Sequence, residues 1–136
     1  MLSRTGTHAL KALSLLATLA PGDFADARDI AERIEAPPNY LAKLLGQLGR
    51  SGFVVARKGA GGGFRLARPA SELNLYELLE PVEQLIKDGD CILGGKGCDG
   101  TTRCALHDRW AGIRSEMLDF LKNTRLDSLV PKSGIG

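Results

Sequence analysis

The sequence predicts a mainly α-helical fold that carries one small β-hairpin and ends in a long helix. Three observations predict it. Apolar residues recur at helical spacing through the first fifty residues; two short β-branched and aromatic runs then flank a glycine-rich turn; and a heptad-like apolar seam occupies residues 106–120. At 136 residues, 43% hydrophobic and 25% charged, the chain suits one ordinary globular domain with a helical extension. Ala9 to Ala20 superficially resembles a secretory leader. Lys11 interrupts it, and Leu10, Leu13, Leu16 and Leu19 mark one face of an amphipathic helix. No run approaches the length needed to span a bilayer, so a soluble, cytoplasmic protein is expected.

The first helix is expected over Ser3 to Leu19, ended by Pro21-Gly22. Asp26 can cap a second helix, with Asp29 favouring the dipole and Ile30 and Ile34 facing inward. Pro37-Pro38 should stop that helix, and Pro38 can open the next at a position where its missing N–H costs nothing. The third helix then runs to about Arg50. Leu41, Leu44, Leu45 and Leu48 form its apolar side, and Asn39, Tyr40, Lys43, Gln47 and Arg50 its polar one. Helix, short turn, helix with a basic outer face is the outline of a helix-turn-helix.

Gly52 closes the third helix. Phe53 to Arg57 and Phe64 to Ala67 read as two strands around Lys58-Gly-Ala-Gly-Gly-Gly63, a flexible cationic turn, with Arg57, Lys58 and Arg65 as its basic residues. After a helix-turn-helix, such a hairpin (about 53–67) is the wing of a winged helix. A phosphate-cradling loop, the rival reading of these glycines, fails on detail: no Gly-Lys-Ser/Thr follows, and Phe64 stands where a dinucleotide pattern needs its last glycine. Asn74 can cap a helix to about Lys87, which Pro81 should kink or shift. The last helix starts near Cys104 or Ala105 and extends to about Thr124. Leu106, Trp110, Ile113, Met117 and Phe120 form a seam that wants a partner helix. The organisation expected is residues 1–88 as the winged helix-turn-helix domain, 89–125 as cysteine loop and long helix, and 126–136 as a flexible tail.

Charge divides the chain. Residues 1–69 hold ten Lys/Arg against five Asp/Glu, and residues 70–136 eight against eleven. Six basic residues and no acidic one lie from Lys43 to Arg68, a stretch able to meet a polyanion or simply to be a solvated face. All three cysteines fall in Cys91-Ile-Leu-Gly-Gly-Lys-Gly-Cys98-Asp-Gly-Thr-Thr-Arg-Cys104-Ala-Leu-His107. An odd cysteine count argues against a disulfide framework. Thiols spaced by glycines suit a loop folded around a soft metal centre: zinc, copper(I) or an iron–sulphur cluster. Paired carboxylates, a catalytic triad or a cofactor loop are not evident, so an enzyme is not expected.

These residues resemble one family. Arg57-Lys-Gly-Ala-Gly-Gly-Gly-Phe-Arg-Leu-Ala-Arg68 looks like the wing of the Rrf-two family (IscR/NsrR type) of bacterial transcription regulators. Asp29-Ile-Ala-Glu-Arg33 with Tyr40-Leu-x-x-Leu-Leu45 matches its helix-turn-helix, and Cys104-Ala-Leu-His107-Asp-x-Trp110 its cluster loop and dimerisation helix. The similarity covers about residues 1–125. It implies a homodimer that binds palindromic double-stranded promoter DNA and senses redox state, nitric oxide or iron supply. The residues implied to meet DNA are Asn39, Tyr40, Lys43, Arg57, Lys58 and Arg65, with Lys58 at the position of a groove-entering wing arginine. Some relatives have an acidic residue that matters for site choice where this chain has Ala42, so no particular operator is carried over. Cys91, Cys98 and Cys104 match three cluster ligands. A fourth is His107 in one branch; in another it comes from the partner's first helix, where Thr7 stands here, with His8 beside it. Three cysteines and a histidine favour a 2Fe-2S cluster over a 4Fe-4S one, and zinc or redox-active thiols are the alternative.

Overall fold

The computed structural model describes residues 2–83 and 106–130. Helix α1 spans Arg4–Leu16, and the Ser3 hydroxyl accepts the Gly6 amide at 3.1 Å as its cap. Ala9, Ala12, Leu13 and Leu16 make its buried stripe, and a leucine buried like Leu13 contributes about 1.5–3 kcal/mol. The helix stops short of the expected Leu19. The Thr18 hydroxyl donates to the Leu15 carbonyl at 2.6 Å, and the amides of Thr18 and Leu19 reach back only three residues. A side chain thus competes for the carbonyls that a further α-turn would use.

Helix α2, Ala27–Ile34, is capped as expected: Asp26 accepts the Arg28 amide at 2.9 Å. Its end comes before the prolines. Glu35 takes the left-handed conformation at φ 57° and ψ 48°, and the Ala36 amide reaches the Ala31 carbonyl at 2.8 Å. A non-glycine residue there costs about 1–2 kcal/mol. The satisfied carbonyl and the packing of α2 on α3 offset it. Helix α3, Pro38–Arg50, opens on Pro38 and buries Leu41, Leu44, Leu45 and Leu48 against α1 and α2.

Gly52, at φ +87°, turns the chain into β1, Val54–Arg57, which pairs antiparallel with β2, Gly63–Leu66. The register places Val55 opposite Arg65 and Arg57 opposite Gly63. Ala25 adds a short third rung, exchanging hydrogen bonds of 2.9 and 2.8 Å with Phe64. The hairpin therefore attaches on one side to α3 and on the other to the segment before α2. The result is a helix-turn-helix followed by a wing, as the sequence predicts.

Helix α4 is shorter than expected, Leu75–Leu79, with a full capping box between Asn74 and Glu77. Pro81 has no amide to continue the ladder, and residues 80–83 form a turn instead of a kinked helix. Helix α5, His107–Asn123, is anchored near its end by buried Leu121, with Met117 packed on the same core. Residues 126–129, expected to begin a flexible tail, form a 3-10 turn with Leu126 fully buried. Leu126 donates its amide to Leu73 at 2.8 Å and Leu75 donates to Thr124 at 3.0 Å, which ties this turn to the body of the domain. Among the described residues, no helix is long and apolar enough to cross a membrane.

Candidate nucleic-acid interface and cysteine segment

The polar side of α3 presents Asn39 and Lys43 to solvent, with Tyr40 half-buried between helix and core. Tyr40 does not stand alone. Its hydroxyl lies 3.1 Å from His8 Nδ1, and the two rings meet edge to face at 5.4 Å between centroids and 67°. Beside this pair, an open cleft of about 640 Å³ runs between the start of α1 and the outer side of α3, lined by Thr5, Tyr40, Lys43, Gln47 and Arg50. The first amides of α3 have no side-chain cap, so the helix start keeps its partial positive charge for an outside acceptor.

The wing presents Arg57, Lys58 and Arg65, all exposed. Arg57 and Arg65 share one face of the hairpin, and both guanidinium groups lie over the Phe24 ring, at 5.5 and 5.2 Å from its centroid. Each such contact is worth about 0.5–1 kcal/mol in the open and holds a long side chain in one direction. Lys58 sits beyond the end of β1, at the tip. Of the basic run, Arg68 meets Glu77 at 3.2 Å, an exposed pair of little energetic weight. Close backbone approach explains two of the wing glycines. A side chain at Gly63 would collide with the Ala25 carbonyl, and one at Gly62 with the Arg57 carbonyl.

Cys91, Cys98 and Cys104 lie outside the described residues, and His107 is the first residue of α5. Among the described residues, no three His, Cys, Asp or Glu side chains are grouped to hold a metal ion. The candidate centre therefore rests on the donor set of the 91–107 segment. His8 is engaged with Tyr40, and Thr7 is half-buried on α1.

The last described residues ahead of that segment, 81–83, are fastened at two points. Gln47 on α3 donates to the Pro81 carbonyl at 2.6 Å. Glu83 holds the start of α1, accepting the Ser3 amide at 3.0 Å on each oxygen and the Ser3 hydroxyl at 2.7 Å. Neither Glu83 nor the aromatic platform at Phe24 was evident from the sequence. For Phe24 a signal existed: a large aromatic between turn residues, outside every helical stripe.

Comparison with known proteins places the chain among DNA-binding regulators. The Rrf2 family model, described as "Iron-dependent Transcriptional regulator", matches residues 2–132. A transcriptional regulator named IscR from Pectobacterium carotovorum is 31% identical over 129 residues, covering 95% of this chain and 78% of its own. IscR of Vibrio vulnificus is 32% identical over 130 residues, covering 95% and 76%. Among solved structures, Bacillus subtilis CymR, described as a global cysteine regulator, superposes with a TM-score of 0.80 at 22% identity over 95% of both chains. The oxidised form of Staphylococcus aureus CymR gives 0.74 at 26% identity, covering 95% of this chain and 94% of that one.

Proposed function

This chain belongs to the Rrf2 family of transcriptional regulators, a family of DNA-binding proteins and not of enzymes, and from that premise we propose how it works. It binds palindromic promoter DNA as a homodimer, in the cytoplasm, and its DNA affinity responds to an iron–sulphur cluster held by the segment from Cys91 to His107. The observation that carries the DNA reading is the exposed cation set on α3 and the wing, with no carboxylate in the sequence between Lys43 and Arg68. Asn39, Tyr40 and Lys43 at the start of α3 meet base edges and phosphates in the major groove. Lys58 at the wing tip enters the neighbouring minor groove, flanked by Arg57 and Arg65. Lysine supplies charge there but not the planar fork of arginine.

The donor chemistry supports the sensor. Cys91, Cys98 and Cys104 supply three thiolates and His107 an imidazole, a set that suits a 2Fe-2S cluster and gives it one weaker, displaceable ligand. The description of the family as iron-dependent points the same way. When bound, the cluster would supply one-electron and ligand-exchange chemistry. The protein's own part is transmission. Pro81 and Glu83, which precede this segment in the chain, are hydrogen-bonded to α3 and α1, and they would be the route by which a change in it reaches both helices.

The alternative is zinc or a thiol–disulfide pair at the same cysteines; three cysteines and a histidine suit zinc equally, and the Staphylococcus aureus relative is described in an oxidised form. Anaerobic purification separates the two. Iron with acid-labile sulphide, and a visible spectrum altered by His107→Ala, supports the cluster. Colourless protein with stoichiometric zinc overturns it.

A further inference from the structure

We infer that His8, on α1, is a positioning residue for operator recognition: it fixes the Tyr40 side chain at the start of α3 and thereby sets sequence discrimination. The inference rests on the reading of α3 as the helix that meets DNA. Tyr40 is the third residue of α3, on the first turn, where side chains reach base edges. A tyrosine there has two free torsions and a hydroxyl far from its backbone. Packing on the core holds the ring only in part, and without a further contact the hydroxyl end could take several poses.

His8 removes that freedom. Its ring stands edge-on to Tyr40, and its Nδ1 is in hydrogen-bond range of the hydroxyl. The support behind it is stiff. His8 is half-buried and adjoins Ala9, one of the fully buried residues of α1, and Glu83 grips the same helix at its first turn. The contact spans 32 positions in sequence, so it couples two separate helices.

The pairing also decides what the hydroxyl can offer. A tyrosine O–H donates once and accepts twice. If the imidazole carries its proton on Nε2, Tyr40 donates inward to Nδ1 and turns lone pairs outward, fit to accept from an amino group on cytosine or adenine. If Nδ1 carries the proton, it donates to Tyr40 and leaves the phenolic hydrogen free for a base carbonyl or a phosphate. In the first tautomer the hydroxyl can only accept from DNA, and in the second it keeps its hydrogen to donate, so the imidazole tautomer decides what Tyr40 offers. An isolated tyrosine could donate or accept indiscriminately.

The test uses the full-length chain and two duplexes of equal length: one selected by the wild-type protein from a random-sequence pool, and a scrambled control. His8→Ala is expected to weaken binding to the selected duplex roughly tenfold and to the control less than about twofold, with an unchanged salt slope. His8→Gln, which can still hydrogen-bond Tyr40, should recover most of the loss. Tyr40→Phe should cost a similar factor, and adding His8→Ala to it should cost little more. Equal losses on both duplexes, additive losses in the double variant, or no loss for His8→Ala would each overturn the inference. A lowered melting temperature for His8→Ala with no rescue by His8→Gln would assign His8 to stability alone and overturn it too. Lys43→Ala and Lys58→Ala serve as controls: if both leave binding to either duplex unchanged, it is the DNA-facing reading that fails.

Discussion

Two outward-facing surfaces of this chain differ in what their side chains lean on. On the α3 and wing side, several large groups lean on their own chain: Tyr40 on His8, Arg57 and Arg65 on Phe24, and Gln47 on the Pro81 carbonyl. On α5, Leu106, Ile113 and Phe120 recur every seven residues and remain 44%, 59% and 60% exposed. The inner stripe of the same helix, which includes Trp110, Met117 and Leu121, is half-buried or buried. A polar surface can be finished inside one chain because water completes what side chains leave open. A heptad row of large apolar groups cannot be, and calls for a second helix.

The largest effect should come from removing that row. Ile113→Glu with Phe120→Glu changes only exposed positions to a good helix former, so the monomer should keep its melting temperature within a few degrees. Sedimentation should show a monomer, and affinity for a palindromic site should fall by at least about 100-fold, because two half-sites are no longer engaged together. A dimer that persists with full affinity would show that the exposed stripe is not what joins two copies. The converse test is made on the finished surface. Gly63→Ala forces a side chain against the Ala25 carbonyl at φ 137° and should cost about 2–3 kcal/mol of stability, seen as a lower melting temperature. The wing would lose its third rung, while sedimentation should be unchanged from the wild type.

These contrasts also explain what was legible in the sequence. Features fixed by neighbouring residues were: Asp26 as a cap, Pro38 at the first turn of α3, Gly52 at its end, and the hairpin. Helix ends set by competing hydrogen bonds were not, as Thr18 and Glu35 show. Heptad counting found the α5 seam but merged two stripes; Leu121, the residue that tells which faces the core, lay outside the series. Pairs brought together only by the fold, His8 with Tyr40 and Ser3 with Glu83, left no trace in sequence spacing. The candidate ligands were legible as residue types alone, because a thiol, wherever the fold puts it, keeps its chemistry.

A smaller effect probes the cations. Lys58→Ala removes an exposed tip charge, so stability should not change. Affinity should fall about fivefold near 0.1 M salt, and the slope of log affinity against log salt should flatten by about one. Titrations across a salt series measure both. A fivefold loss with an unchanged slope would mean that Lys58 acts through loop shape and not through a phosphate.

The smallest expected change lies at the contact of Glu83 with the start of α1. Gly6 faces the Glu83 carboxylate so closely that even a methyl group would meet its oxygen. The obstacle is the end of a flexible side chain, so the carboxylate swings away and the fold survives Gly6→Ala. What is lost is the grip on the Ser3 amide and hydroxyl, and the anion at the positive end of α1. Those are worth about 0.5–1 kcal/mol, partly regained because alanine favours the helix interior over glycine. The melting temperature should therefore move by no more than a few degrees. On the proposed cluster reading, with Glu83 linking the chain ahead of the cysteine segment to α1, Gly6→Ala and Glu83→Gln should each reduce the difference in DNA affinity between cluster-loaded and cluster-free forms, while affinity of the cluster-free form stays constant. An undiminished difference in both variants would leave Gln47 and Pro81 as the remaining described link between that segment and the DNA-facing helix.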